Sequence, residues 1–204
     1  MEYPEGATPL DPDEMEGLKY PHIQTREELD QLEQQNIQEG FIWLSRQRKY
    51  KDFLSEAFLL ELHKRLFGSV WSWAGSFRRT DKNIGIDRLL IGSELRTLLD
   101  DARYWVKHGT YNREEFAARF HHRLVKIHPF PNGNGRFSRI MTDVILEKVL
   151  NKRPIDWGTH KLDDAGEHRQ TYIRALQAAD NNDYGPLIKF VSKTEEEQTR
   201  ISLL

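Results

Sequence analysis

A chain of 204 residues with a formal net charge of −2 has room for one ordinary domain whose core needs no covalent staples. It contains no cysteine, which excludes disulfides and thiolate metal sites. Acidic and basic residues nearly balance and no apolar run reaches membrane-spanning length, so direct nucleic-acid binding and membrane attachment are both disfavoured.

Residues 1–24 lack hydrophobic periodicity and are expected to be an extended segment. Their start, MEYPEGATPLDPDEMEG, is acidic and holds no apolar stretch of the kind an export signal needs, so a cytoplasmic protein is expected. From Thr25 to about residue 50 the spacing of Leu29, Leu32, Ile37, Phe41 and Leu44 predicts an N-terminal helix. Residues 51–192 then read as the main domain and 193–204 as a C-terminal tail. Within the domain, Leu54, Phe58, Leu62 and Leu66 form one stripe of a helix over Asp52–Phe67.

Residues 76–91, SFRRTDKNIGIDRLLI, break the helical rhythm and are punctuated by Gly75 and Gly85. A short β-hairpin flap is expected there, with an ordinary surface loop as the alternative. Ser93 is the expected N-cap of the next helix, whose inward face is Leu95, Leu98, Leu99 and Ala102. Asn112 with Glu115 three residues later opens another helix, which carries Phe116, Phe120 and Leu124 towards His128. Phe137, Ile140, Met141, Val144, Ile145 and Val149 recur at helical spacing and mark the clearest helix, ended by Asn151 and Pro154. A helix over about 163–179 and a last one near Pro186 complete a mainly α fold. Adjacent His121 and His122 point to different helix faces and make no metal-binding motif. Trp71 and Trp73 read as core caps more readily than as the lining of a groove.

The chemistry concentrates in His128-Pro-Phe-Pro-Asn-Gly-Asn-Gly-Arg-Phe-Ser-Arg139. A glycine-bearing turn that opens into a helix presents backbone N–H groups and the positive end of the helix dipole to an anion. Arg136 and Arg139 add forked donors for phosphate oxygens. An unperturbed imidazole titrates near pH ~6.5, so His128 can act as a general base beside a bound phosphate. No Walker A string and no dinucleotide-binding glycine fingerprint is present.

This string resembles the Fic (Fido) signature HxFx(D/E)GNGRxxR at every fixed position except Asn132, where the signature has an acid. Together with the N-terminal GATPLDPDE segment it is similar to the Fic branch called mobile mystery protein B. The resemblance implies a helical bundle with a small β-hairpin flap that pins a target peptide. It also implies a protein adenylyltransferase, which moves AMP from ATP, with Mg²⁺, to a Tyr, Thr or Ser hydroxyl of a target protein. By the same resemblance His128 would be the base and the backbone of Gly133, Asn134 and Gly135 the anion hole. Arg136 and Arg139 would hold the phosphates, and Asn132 would stand at the metal, directly or through water.

Gly135 bears on the reaction, because the related Doc toxins have a lysine there and use the nucleotide as a phosphate donor. A Doc-like phosphotransferase and a catalytically weak or inactive binding module are the alternatives to AMP transfer. Tyr172 and Ala175 are candidates for the adenine pocket. Many Fic proteins are restrained by a glutamate in an (S/T)xxxE(G/N) helix, and the nearest match, Gln35 to Gly40, makes Glu39 an inhibitory candidate although it lacks the Ser or Thr. An antitoxin-like or helix-turn-helix partner is the other implied restraint. The sequence sets no oligomeric state.

Overall fold

The computed structural model describes residues 12–23, 25–47, 52–158, 162 and 166–192. The expected tail, 193–204, and most of the GATPLDPDE segment lie outside them. Within the segment expected to be extended, Pro12–Met15 forms one helical turn, α1. Helix α2, Arg26–Ser45, starts at a capping box in which Thr25 and Glu28 satisfy each other's backbone N–H groups. Helix α3, Glu56–Phe67, begins later than the apolar stripe suggests. Asp52 turns its carboxylate onto Leu54 N, and Ser55 takes the cap by accepting from Phe58 N.

The 76–91 segment is not a hairpin. Among the described residues the only strand-like pairing is an isolated bridge between Leu18 and Trp71. The loop's inner carbonyls bond to the guanidinium of Arg78, so no partner strand is needed to satisfy them. The loop ends in a single 3₁₀ turn, Arg88–Leu90, capped by the Asp87 carboxylate. That turn runs directly into α4, Ile91–His108, so Ser93 lies inside the helix and donates to Leu90 O instead of capping.

Helix α5, Arg113–Ile127, is capped by Asn112 as expected. It is followed by α6, Asn134–Lys148, α7, Glu167–Asp180, and α8 over residues 185–192. The start of α7 falls four residues later than periodicity suggests, although 163–165 are outside the described residues.

Helix α3 runs through the centre of the core. Phe58, Leu59, Leu62 and Leu66 are completely buried, and they belong to one cluster with Phe120 of α5 and Phe137, Met141 and Ile145 of α6. Helix α2 packs across the outside of α3, where Gly40 allows close approach: a Cβ there would stand 2.7 Å from Leu66 Cδ2. Asn36 ties the two together by donating to Arg65 O and accepting from Ser69 N. Burial of each such Leu or Phe contributes roughly 1.5–3 kcal/mol, which is what holds the α5–α6 turn against α3.

Candidate active site

The α5–α6 turn is built by its own side chains. Helix α5 ends at His128, whose φ of 53° places it in the left-handed region, uncommon for a residue with a Cβ. Phe130 then drops into the core, stacked on His63 at 3.6 Å between ring centroids. Asn134 clips the turn from both sides, accepting from Phe130 N at 2.9 Å and donating to Phe130 O at 2.7 Å. His63 accepts from Gly75 N at Nδ1, so its Nε2–H donates to Asn132 O at 3.3 Å. Burial drives the His63 pKa down to about 3, which keeps it a neutral donor–acceptor bridge.

Gly133 is the N-cap of α6, with φ 77°, and any Cβ would stand 2.7 Å from the Phe67 ring. It has no side chain to cap the helix, so no side-chain cap bond covers the start of α6. Gly133, Asn134, Gly135 and Arg136 all line that cleft, which has a volume of about 1080 Å³. At Gly135 a Cβ would meet nothing nearer than Arg139 Nη1 at 4.0 Å, so this face of the helix start is open.

His128 lines the same cleft. Its Nδ1 donates to Val125 O at 3.2 Å, which puts the lone pair of the neutral ring on Nε2. Burial lowers its pKa to about 4, opposed by the Val125 bond and helped by the charges of Arg78 and Lys82, so the ring is the neutral, proton-accepting form at physiological pH.

The two arginines differ. Arg136 pairs with Glu33 of α2 and lies 5.2 Å over the Phe67 ring. Glu33 is buried and also accepts from Trp71 Nε1 at 2.6 Å. Arg139 is buried beside the hydroxyl of Tyr172, which bonds in turn to His121 Nε2 at 2.8 Å. Tyr172 thus lines the cleft as a support for Arg139, whereas Ala175 packs with Ala118, Ala179 and Leu187 in a separate small cluster.

Glu39 lies elsewhere. It is exposed, accepts from Ser69 Oγ at 3.3 Å and does not line the cleft, so the α2 carboxylate that reaches the motif is that of Glu33. Three residues of the site were not anticipated: Glu33, His63 and Arg78. Glu33 had left a trace, being a charged residue one turn from Leu29 on the face of α2 that packs inward.

Mg²⁺ prefers charged oxygen ligands in an octahedral set. Asn132 offers one neutral oxygen, and that oxygen accepts from Gly133 N at 2.7 Å. Among the described residues no group of three or more His, Cys, Asp or Glu side chains converges on a metal position. The donor set therefore does not fit a protein-held Mg²⁺, and positive charge at the cradle comes from the arginines and the helix start.

Residues 53–146 match the model of the Fic/DOC family. That stretch of the chain is similar to a Fic/DOC domain. The chain is 29% identical over 149 residues to the protein adenylyltransferase Fic of Aedes aegypti, an alignment spanning 71% of this chain and 28% of that protein. The chain thus spans under a third of the length of that curated relative. Among solved structures, Fic-1 from C. elegans superposes with a TM-score of 0.69 at 24% identity, covering 92% of this chain and 54% of that one. BepC from Bartonella tribocorum, solved with bound AMPPNP, gives 0.65 at 20% identity and covers 93% of each chain. At these identities the likeness is one of fold.

Proposed function

We propose that this Fic domain is a protein adenylyltransferase that transfers AMP from ATP to a Tyr, Thr or Ser hydroxyl of a target protein. Nε2 of His128 takes the hydroxyl proton as the oxygen attacks the α-phosphorus, and pyrophosphate leaves with the other bonding pair. The helix start at 133–136 and Arg139 stabilise charge on the phosphate oxygens. The observation that carries this reading is the open face of Gly135 beside His128, where the α-phosphate needs room and a longer side chain would intrude. A Doc-like phosphotransfer is less well supported for the same reason.

A second reading has its own observation. Arg136 is already paired with buried Glu33, and the Asn132 oxygen is occupied by Gly133, which would suit a module that binds nucleotide but turns it over slowly. Incubation with ATP labelled at the α-phosphate, alone and with cell lysate, separates the readings. Label on protein that disappears in His128→Ala supports AMP transfer; bound ATP without label supports the module; label only from the γ-position supports phosphotransfer.

The remaining proposals rest on the resemblance. The chain belongs to the mobile mystery protein B branch, acts in the cytoplasm, and is restrained by an antitoxin-like or helix-turn-helix partner. No helix among the described residues is long and apolar enough to cross a membrane.

A further inference from the structure

The loop 76–90 has little regular structure, yet it forms part of the cleft wall through Asn83, Ile84, Gly85 and Ile86. One side chain organises it. Arg78 is buried, and its guanidinium donates to three carbonyls, Nε to His128 O at 2.7 Å, Nη1 to Thr80 O at 2.8 Å and Nη2 to Ile86 O, with Nη1 also 3.5 Å from Asp81 Oδ1. Its own backbone N–H donates to Pro129 O at 2.9 Å. Arg78 therefore holds both carbonyls at the left-handed end of α5 and two inner carbonyls of the loop beside it. Gly85 seals the arrangement. Its φ is 110°, and a Cβ would lie 2.7 Å from His128 Cβ and 3.0 Å from Arg78 Nη2.

We propose that Arg78 is the positioning residue of the site, joining His128 and the loop over the cleft into one rigid unit so that the imidazole keeps its aim. The proposal rests on the reading of His128 as the base. A planar fork with fixed N–H directions can satisfy three separate carbonyls at once, and a carbonyl at a helix C-terminus favours a cation. An ammonium on a flexible stem cannot reproduce that spread. Misplacement of a reacting group by about 1 Å costs up to roughly a hundredfold in rate, while the binding of nucleotide phosphates at residues 133–139 does not involve Arg78.

The test uses the full chain with ¹³C-labelled histidine rings. In Arg78→Lys, the His128 ring signal is expected to move or broaden, while those of His63 and His121 stay in place. AMPPNP affinity by calorimetry stays within about twofold, and AMP transfer at saturating ATP falls by roughly 10- to 100-fold. An unmoved His128 signal overturns the proposal. So do equal shifts of all three histidines, which would mark a general structural role, or AMPPNP affinity falling in step with transfer. If Arg78→Lys does not fold, Arg78→Gln decides, because a neutral amide removes the forked spread of donors without placing a new atom against His128. A shift confined to His128 supports the clamp, and an unchanged spectrum sinks it. Absence of His128-dependent transfer in the wild type would remove the AMP-transfer reading, whereas the ring signals would still judge the clamp.

Discussion

The two walls of the cleft differ in how much of their shape is set by neighbours in sequence. The α5–α6 turn is specified locally: Asn134 clips Phe130 four residues away, Gly133 supplies the left-handed step, and Phe130 anchors the turn in the core. The facing loop, 76–90, also has local bonds, from Arg78 to Thr80 O and Ile86 O and from Arg88 N and Leu89 N to Asp81 and Asp87, but it is fastened to the rest of the molecule from a distance. Arg78 reaches fifty residues along the chain to His128 O, and buried Lys82 pairs with Glu14 of α1. The contrast teaches that a reactive turn can be written in a dozen residues while the wall that aims it depends on buried donors whose partners lie elsewhere in the chain.

Acid tests how far the turn and its supports depend on neutral histidines. The pKa values of His63 and His121 are pushed to about 3 and that of His128 to about 4, each mainly by burial. Below the unfolded value of 6.5 the unfolded chain binds protons that the folded chain refuses, so stability falls as pH drops from 6.5 towards 4. The expected loss is on the order of several kcal/mol, read by urea denaturation at stepped pH. Asp143 works in the other direction. Burial raises it to about 7, so between its unfolded value of 3.8 and that pH the folded state binds the extra proton and gains as pH falls. A flat stability profile from 6.5 to 4.5 would contradict the buried, neutral assignment. The kcat/KM for transfer should hold its level below pH 6 and fall only near 4, because the free base form of His128 persists that far.

Smaller effects sharpen the comparison by residue. Glu33→Ala removes a buried carboxylate that serves both Trp71 Nε1 and Arg136. Orphaning the indole N–H and opening a cavity is expected to cost about 3 kcal/mol by denaturation, less than for a fully buried pair because Arg136 can turn to water. Gly133→Ala forces a Cβ into the Phe67 ring at a positive φ and is expected to cost about 2 kcal/mol and to weaken AMPPNP binding at least tenfold in calorimetry. If the Gly133 variant binds AMPPNP normally, the helix start is not the anion site.

What could be read in the sequence follows the same division. Helix stripes such as Leu62 and Leu66 or Met141 and Ile145 announce themselves because burial repeats at helical spacing, and the cap at Asn112 is a local hydrogen bond. The motif residues His128, Asn132, Gly133, Asn134, Gly135, Arg136 and Arg139 do line one cleft. Gly75 and Gly85 signal turns but not what satisfies the backbone between them, so the sequence favours a hairpin over the surface loop that the structure has. Glu39 looked inhibitory from a short pattern, yet which carboxylate of α2 meets the motif depends on the rotation of that helix on α3, set by Asn36 and Gly40 packing at long range. His63 carries no sign of its task until Gly75 N and Asn132 O are brought to its two nitrogens.

The mildest change examines the one departure from the family signature. Asn132 accepts from Gly133 N through its amide oxygen and brings no charge, so Asn132→Asp adds a second oxygen and a formal charge at the mouth of the cradle without altering volume. One carboxylate oxygen can keep the Gly133 bond while the other turns outward, so the turn should survive with stability changed by less than about 1 kcal/mol. A charged oxygen facing the phosphates is the type of ligand that Mg²⁺ takes alongside a nucleotide. The variant is therefore expected to bind AMPPNP more tightly with rising Mg²⁺ by a few-fold, whereas the wild type responds less steeply and relies on Arg139 and the bare helix start. Identical magnesium titrations for both proteins would mean that position 132 faces away from the phosphates, and that the turn's local order serves only its own backbone.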